Sequence, residues 1–182
     1  MTEYLADQTF QPAPEALCIC GASYEDHRAS DLACPLVEVL PEGYLTPNFT
    51  LAEMIHSDTA IANGIDNTPP PEAIDNLTRL CGVLEEIRVI CGSYPVTVNS
   101  GYRCEALNEK VGGVEDSAHR YGLGADIVIP DYGDPTDICV AVTPHLVDLS
   151  IDQLIDETDG EGNRWVHVGL CEGEPRNECF AL

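Results

Sequence analysis

SAHRYGLGAD (residues 117–126) and WVHVGL (residues 165–170) decide how this chain folds. In the second stretch Val166 and Val168 face one way along an extended backbone, so His167 faces the other. GADIVIP (residues 124–130) alternates in the same manner: Ile127 and Ile129 share a face and Asp126 points opposite them. Both segments therefore predict strands with one apolar face and one ionisable group on the reverse. If the strands pair, Asp126 and His167 lie about 5 Å apart across the ladder. His119 then only has to reach in from the preceding turn. Two imidazoles and a carboxylate suit Zn²⁺ with one position left open for water. By spacing alone, two separate polar residues on a half-solvated face fit equally well, because H-x6-D is a weak pattern.

Outward from this centre the chain reads as helices first and short strands afterwards. Thr50-x-x-Glu53 is a capping-box pattern that opens a short helix, and a second short helix ends near Gly64. After Thr68 and three prolines, Ile74, Leu77, Leu80, Cys81, Leu84 and Ile87 recur at helical spacing through residues 72–91, and Gly92 ends the run. YPVTVNS (residues 94–100) alternates like a strand. The expected class is α+β, a small antiparallel sheet with flanking helices, over residues 49–182. PEGYLTPN places a linker over residues 37–48. Residues 1–16 read as an extended arm without periodicity.

Residues 17–36 form a separate unit too short for a core of its own. Cys18, Cys20, His27 and Cys34 make a Cys3His set within it, and three thiolates with one imidazole close a tetrahedron around a structural Zn²⁺. Metal would supply order that so short a segment cannot obtain by burial. Reduced cysteines in a loop, or a Cys18–Cys34 disulfide, are the alternatives, and C-x-C is tighter than the usual zinc spacing. Six further cysteines, at 81, 91, 104, 139, 171 and 179, make three disulfides in an oxidising setting or none in a reducing one. Cys171 and Cys179, which flank an acidic tail, form one candidate pair.

The 182 residues carry 32 acidic and 8 basic side chains, a net charge of −24, and Lys110 is the only lysine. No basic stripe is present to meet phosphates, which disfavours nucleic acid as a partner. No apolar run approaches the roughly 18 residues of a membrane span. The N-terminus MTEYLADQTF lacks a basic region and an apolar region, so no standard signal peptide is expected.

SAHRYGLGAD resembles the SxHxxGxAxD signature of the zinc D-Ala-D-Ala carboxypeptidases, which share a fold with hedgehog domains and other peptidoglycan-cleaving metallopeptidases. NFTLAEMIHSDTA, IDNTPPPEAIDNL, VNSGYRCEALNEKVGG, DQLIDE and WVHVGL extend the likeness over about residues 48–170 and resemble the phage-associated branch. The resemblance implies that His119, Asp126 and His167 ligate zinc. It also implies that Arg103, in SGYR, binds substrate or steadies an oxyanion. Several members carry an acidic general base three residues before the last histidine, whereas that position is Arg164 here, a cation that cannot accept a proton. Glu157, in DQLIDE, matches a glutamate of the phage-like branch and is the substitute base, with Asp156 and Asp159 as acidic neighbours.

The first function this implies is a zinc metallopeptidase that cuts short cell-wall peptides, as a viral endolysin or a virion-borne wall-degrading protein. It would reside in the virion or in the host cytoplasm before lysis. The alternative is a catalytically silent virion module that keeps the fold and binds a cell-surface component or other virion proteins. The acidic composition points to a halophilic host, which supports this second function, and a merely acidic mesophilic protein is the alternative reading of that composition. At molar salt the Debye length is about 3 Å, and self-repulsion within a −24 chain largely disappears. The melting temperature is therefore expected to rise steeply from low to molar salt, and a flat or falling profile in a salt titration would refute the halophilic reading.

Overall fold

The computed structural model describes residues 40–182. Strands β1 (Tyr44–Thr46) and β2 (Phe49–Thr50) pair antiparallel, with Phe49 buried beneath them. The segment 37–48, expected to be a linker, thus contains a short strand, and its residues 37–39 lie outside the described residues. Its prolines and glycine shape the turns around a short strand, and Glu85 fixes that strand by accepting from Thr46 Oγ1 at 3.0 Å and from the Asn48 amide at 2.8 Å.

Helix α1 (Leu51–Ile55) begins where Thr50 Oγ1 accepts the Glu53 amide at 3.1 Å, the cap expected from T-x-x-E. Helix α2 (Asp58–Asn63) is capped by Ser57 and ends on Gly64 at φ 63°. The long helix α3 (Pro71–Ile90) starts with proline at its first position, where no amide donor is needed. It buries Ala73, Leu77, Leu80, Cys81, Leu84 and Ile87, so the expected stripe holds except that Ala73 replaces Ile74 at its innermost end.

After α3 come β3 (Thr97–Ser100), α4 (Glu105–Lys110) and a 3-10 turn at Ala118–Tyr121. They are followed by β4 (Gly124–Val128), α5 (Pro135–Val142), β5 (Gln153–Thr158), β6 (Arg164–Gly169) and β7 (Glu178–Ala181). The sheet order is β3-β4-β6-β5-β7. Its first four strands are antiparallel, as expected, whereas β7 returns parallel to β5 at the edge. One sheet face carries Ala125, Ile127, Leu154, Val166 and Val168, all buried against α3 and α5 in a single core. Burial of this face on helices leaves the reverse face to polar groups, and that face holds the candidate site.

No helix among the described residues is long and apolar enough to cross a membrane. Leu84 is fully buried on α3, whereas Val89 on the same helix is 59% exposed. Leu84→Ala is expected to cost about 2–5 kcal/mol through lost burial and a cavity. Val89→Ala should remain within about 0.5 kcal/mol. Urea denaturation of the two variants gives the comparison, and equal effects would contradict this placement of the core.

Candidate metal centre

Asp126 on β4 stands directly opposite His167 on β6, and β6 also pairs on its other side with β5, where Ile155 faces His167. The strand pairing thus delivers two of the three predicted groups to one spot. The third comes from the 3-10 turn, which presents His119 to the same point. Gly122 closes that turn at φ 71°, and a Cβ there would sit 2.4 Å from the Ala73 carbonyl oxygen. Glycine therefore allows both the left-handed backbone and the close seating of the turn on α3. Asn76 Nδ2 of α3 donates to the Tyr121 carbonyl at 2.9 Å and holds the turn from outside.

The three groups converge. Asp126 Oδ1 lies 2.9 Å from His167 Nδ1 and 3.2 Å from His119 Nε2, and the two ring nitrogens are 3.2 Å apart. All three residues are less than a tenth exposed. His119 Nδ1 sits 2.7 Å from the Gly101 carbonyl oxygen, which can only accept. The proton is therefore on Nδ1, and the lone pair of Nε2 points into the cluster. Burial alone would raise the Asp126 carboxyl, but the adjacent imidazoles of His119 and His167 outweigh it and hold the group well below the usual carboxylate range.

Zinc bonds of roughly 2.0–2.1 Å in a tetrahedron place ligand atoms about 3.3 Å apart. The separations here, 2.9 to 3.2 Å, match that spacing, and the donor set is two nitrogens and one oxygen. Among the described residues this is the one group of three or more histidine, cysteine or acidic side chains close enough to hold a metal ion. The N-terminal set Cys18, Cys20, His27 and Cys34 lies outside the described residues.

Arg103 reaches the same place. Its Nη2 donates to Asp126 Oδ2 at 2.6 Å and lies 3.3 Å from His119 Nε2, while its Nε donates to Ser100 Oγ at 2.8 Å. The guanidinium therefore grips the carboxylate oxygen that does not face the histidines, as well as lining the cleft. Sequence reading missed what positions it. Asn67 is buried and fully satisfied: its Nδ2 donates to the carbonyls of Ile55 and Tyr102, and its Oδ1 accepts the Cys104 amide at 2.8 Å. Tyr102 and Cys104 flank Arg103, so one amide side chain holds the backbone on either side of it. Gly101 is equally constrained, since an added Cβ would lie 2.3 Å from the Met54 carbonyl oxygen. Both lie in segments that carry the resemblance, IDNTPPPEAIDNL and SGYR, but neither has a charge that marks its role from sequence alone.

Glu157 lies on β5 opposite Trp165, which makes it the diagonal neighbour of His167 on the same sheet face. Such neighbours stand about 7–8 Å apart, within reach of a long side chain. Trp165 Nε1 donates to Glu157 Oε2 at 2.8 Å. Asp156 points to the opposite face, where Thr136 and Arg164 bind it. Asp159 is occupied in the β5–β6 turn, accepting from the Glu161 amide and from Asn163. Arg164 therefore puts its charge behind the sheet, and of these acids Glu157 is the one that lines the cleft. The cleft is open, about 1310 Å³ in volume, with His119, Asp126 and His167 in its wall.

Residues 47–168 match the family described as Peptidase M15. The chain belongs to that family. The matched span contains Arg103, His119, Asp126, Glu157 and His167. This M15 chain is also 31% identical over 126 residues to the zinc D-Ala-D-Ala carboxypeptidase of Streptomyces albus G, covering 66% of this chain and 49% of that protein. It spans about half the length of that curated relative.

Elemental analysis tests the ligand set. Wild-type protein should lose one equivalent of zinc on His119→Ala, whatever the N-terminal cysteines hold. An unchanged zinc content would exclude this cluster as a metal site.

Proposed function

We propose that this M15 chain is a zinc metallopeptidase acting on short cell-wall peptides. The observation that carries the reading is the convergence of three lone-pair atoms in the wall of an open cleft, with a carboxylate held beside them by Trp165. His119, Asp126 and His167 would hold the ion, and zinc, when bound, supplies Lewis acidity to a scissile carbonyl and to a water molecule. The remaining chemistry belongs to the protein. Glu157, with one oxygen held by the indole, would take a proton from water as general base. Arg103 fixes Asp126, and its guanidinium faces the cleft, where it would meet a substrate carboxylate or a developing oxyanion.

The name of the Streptomyces albus G relative supports peptides ending in D-Ala-D-Ala as the substrate class. A virion-borne or lytic role in a virus of a halophilic host is our reading of the phage-like segments together with the −24 charge. A cell-wall peptide is then the partner, and an N-terminal Cys3His zinc would serve attachment or assembly.

Glu157→Gln keeps the shape and the indole contact but removes the proton acceptor. Turnover of a D-Ala-D-Ala peptide is expected to fall about 10²–10⁴-fold with zinc content unchanged. Cleavage that survives undiminished would discard Glu157 as the base. No cleavage by either form would favour the silent virion module.

A further inference from the structure

The segment DQLIDE (residues 152–157) contributes more to the cleft than Glu157. Alternation along β5 puts Gln153, Ile155 and Glu157 on the cleft face, whereas Leu154 is buried in the core and Asp156 is bound behind the sheet by Thr136 and Arg164. Register against β6 orders that face: Ile155 stands opposite His167, Glu157 opposite Trp165 and Gln153 opposite Gly169. Gln153 and Glu157 therefore flank the cluster, each two strand residues, about 6.6 Å, from the level of His167. One end of the row holds a carboxylate and the other a neutral amide.

Gly169 keeps the amide end open. A Cβ there would sit 3.2 Å from His167 Nε2 and 3.6 Å from Gln153 Cβ, so glycine leaves free the space beside both groups. Gln153 is half-buried, and it lines the cleft together with Gly169 and His167. Charged donors are already committed in this wall. Its two arginines are bound to carboxylates, Arg103 to Asp126 and Arg176 to Asp152, and ionised acids only accept. A peptide lying in the cleft presents carbonyl oxygens that need donors, and the Gln153 amide carries two N–H groups without a charge for a nearby acid to neutralise.

We propose, resting on the peptidase reading of this cleft, that Gln153 is a substrate-binding residue whose Nε2 donates to a main-chain carbonyl of the peptide, on the side of His167 away from Glu157. The peptide then runs along the β5 face from Glu157 past the cluster to Gln153. That distance is four strand residues, about 13 Å. An extended peptide of about four residues covers it. The occupant is therefore the end of a longer wall peptide rather than a free dipeptide.

The test uses the full-length zinc-loaded protein and an acetylated tetrapeptide ending in D-Ala-D-Ala. Gln153→Met keeps the length of the side chain and removes its amide. KM should rise roughly 3–10-fold, with kcat changed less than about twofold and zinc content unchanged. In the slow Glu157→Gln background, calorimetry should show the same loss as a weaker Kd, read without turnover. Free D-Ala-D-Ala should bind that form more weakly than the tetrapeptide and lose nothing further on Gln153→Met. Gln153→Glu keeps an acceptor and lacks the donor, so it should bind the tetrapeptide no better than Gln153→Met, and it keeps the test sound if the methionine variant folds poorly. Unchanged KM and Kd, a fall in kcat alone, wild-type affinity in Gln153→Glu, or an equal loss for the dipeptide would each overturn the role of Gln153 and leave the peptidase standing. Wild-type protein that neither binds nor cleaves the tetrapeptide would overturn the peptidase reading, and this role with it.

Discussion

Strand β6 is paired along both edges, and its register against β4 sets Asp126 opposite His167. The placement of two of the three clustered candidate ligands depends on that alignment. One face of the sheet is committed to the core by Ile127, Val166, Val168 and Leu154. A slip of β6 by one residue would therefore turn Val166 and Val168 towards solvent and bury the His167 imidazole among the helices. The hydrophobic effect on one face thus fixes the geometry of the polar groups on the other. The site inherits its precision from a core that takes no part in its chemistry.

His119 depends on a different mechanism, because a 3-10 turn has no ladder to hold it. Its ring is oriented by the Gly101 carbonyl, its main chain accepts the Arg103 amide at 3.1 Å, and the turn is seated on α3 through Gly122 and Asn76. The loop that supplies Gly101 and Arg103 is held in turn by Asn67 and Met54. Each support is a hydrogen bond to the backbone or a close approach that excludes a side chain, so the cluster is held from several sides although little of its surroundings is regular structure.

The distribution of arginine follows the same economy. In a chain with so few cations, the three buried aspartates among the described residues each hold one: Arg103 on Asp126, Arg176 on Asp152 and Arg164 on Asp156. A buried carboxylate without a partner is costly, and salt in solution screens such a group little. Most of the other described acids face water, where mobile ions suffice. The −24 charge is therefore compatible with a well-ordered site as long as these three pairs form.

By itself the sequence determined the alternation of the β4 and β6 segments, the buried stripe of α3 and the caps at Thr50 and Gly64, all of which depend on neighbouring residues. It also singled out the trio His119, Asp126 and His167, since alternation forces a face and the signature marks the residues. Strand β5 was legible only as a motif around Glu157, and β1, α5 and β7 were not read at all. Short segments with mixed polarity acquire strand or helix from the partner they pack on rather than from their own pattern. Tertiary structure alone decided that Glu157 faces the cleft while Asp156 and Arg164 face away, and that Asn67 and Gly101 hold the loop of Arg103. These relations join residues far apart in sequence, and only strand register and helix packing bring them together.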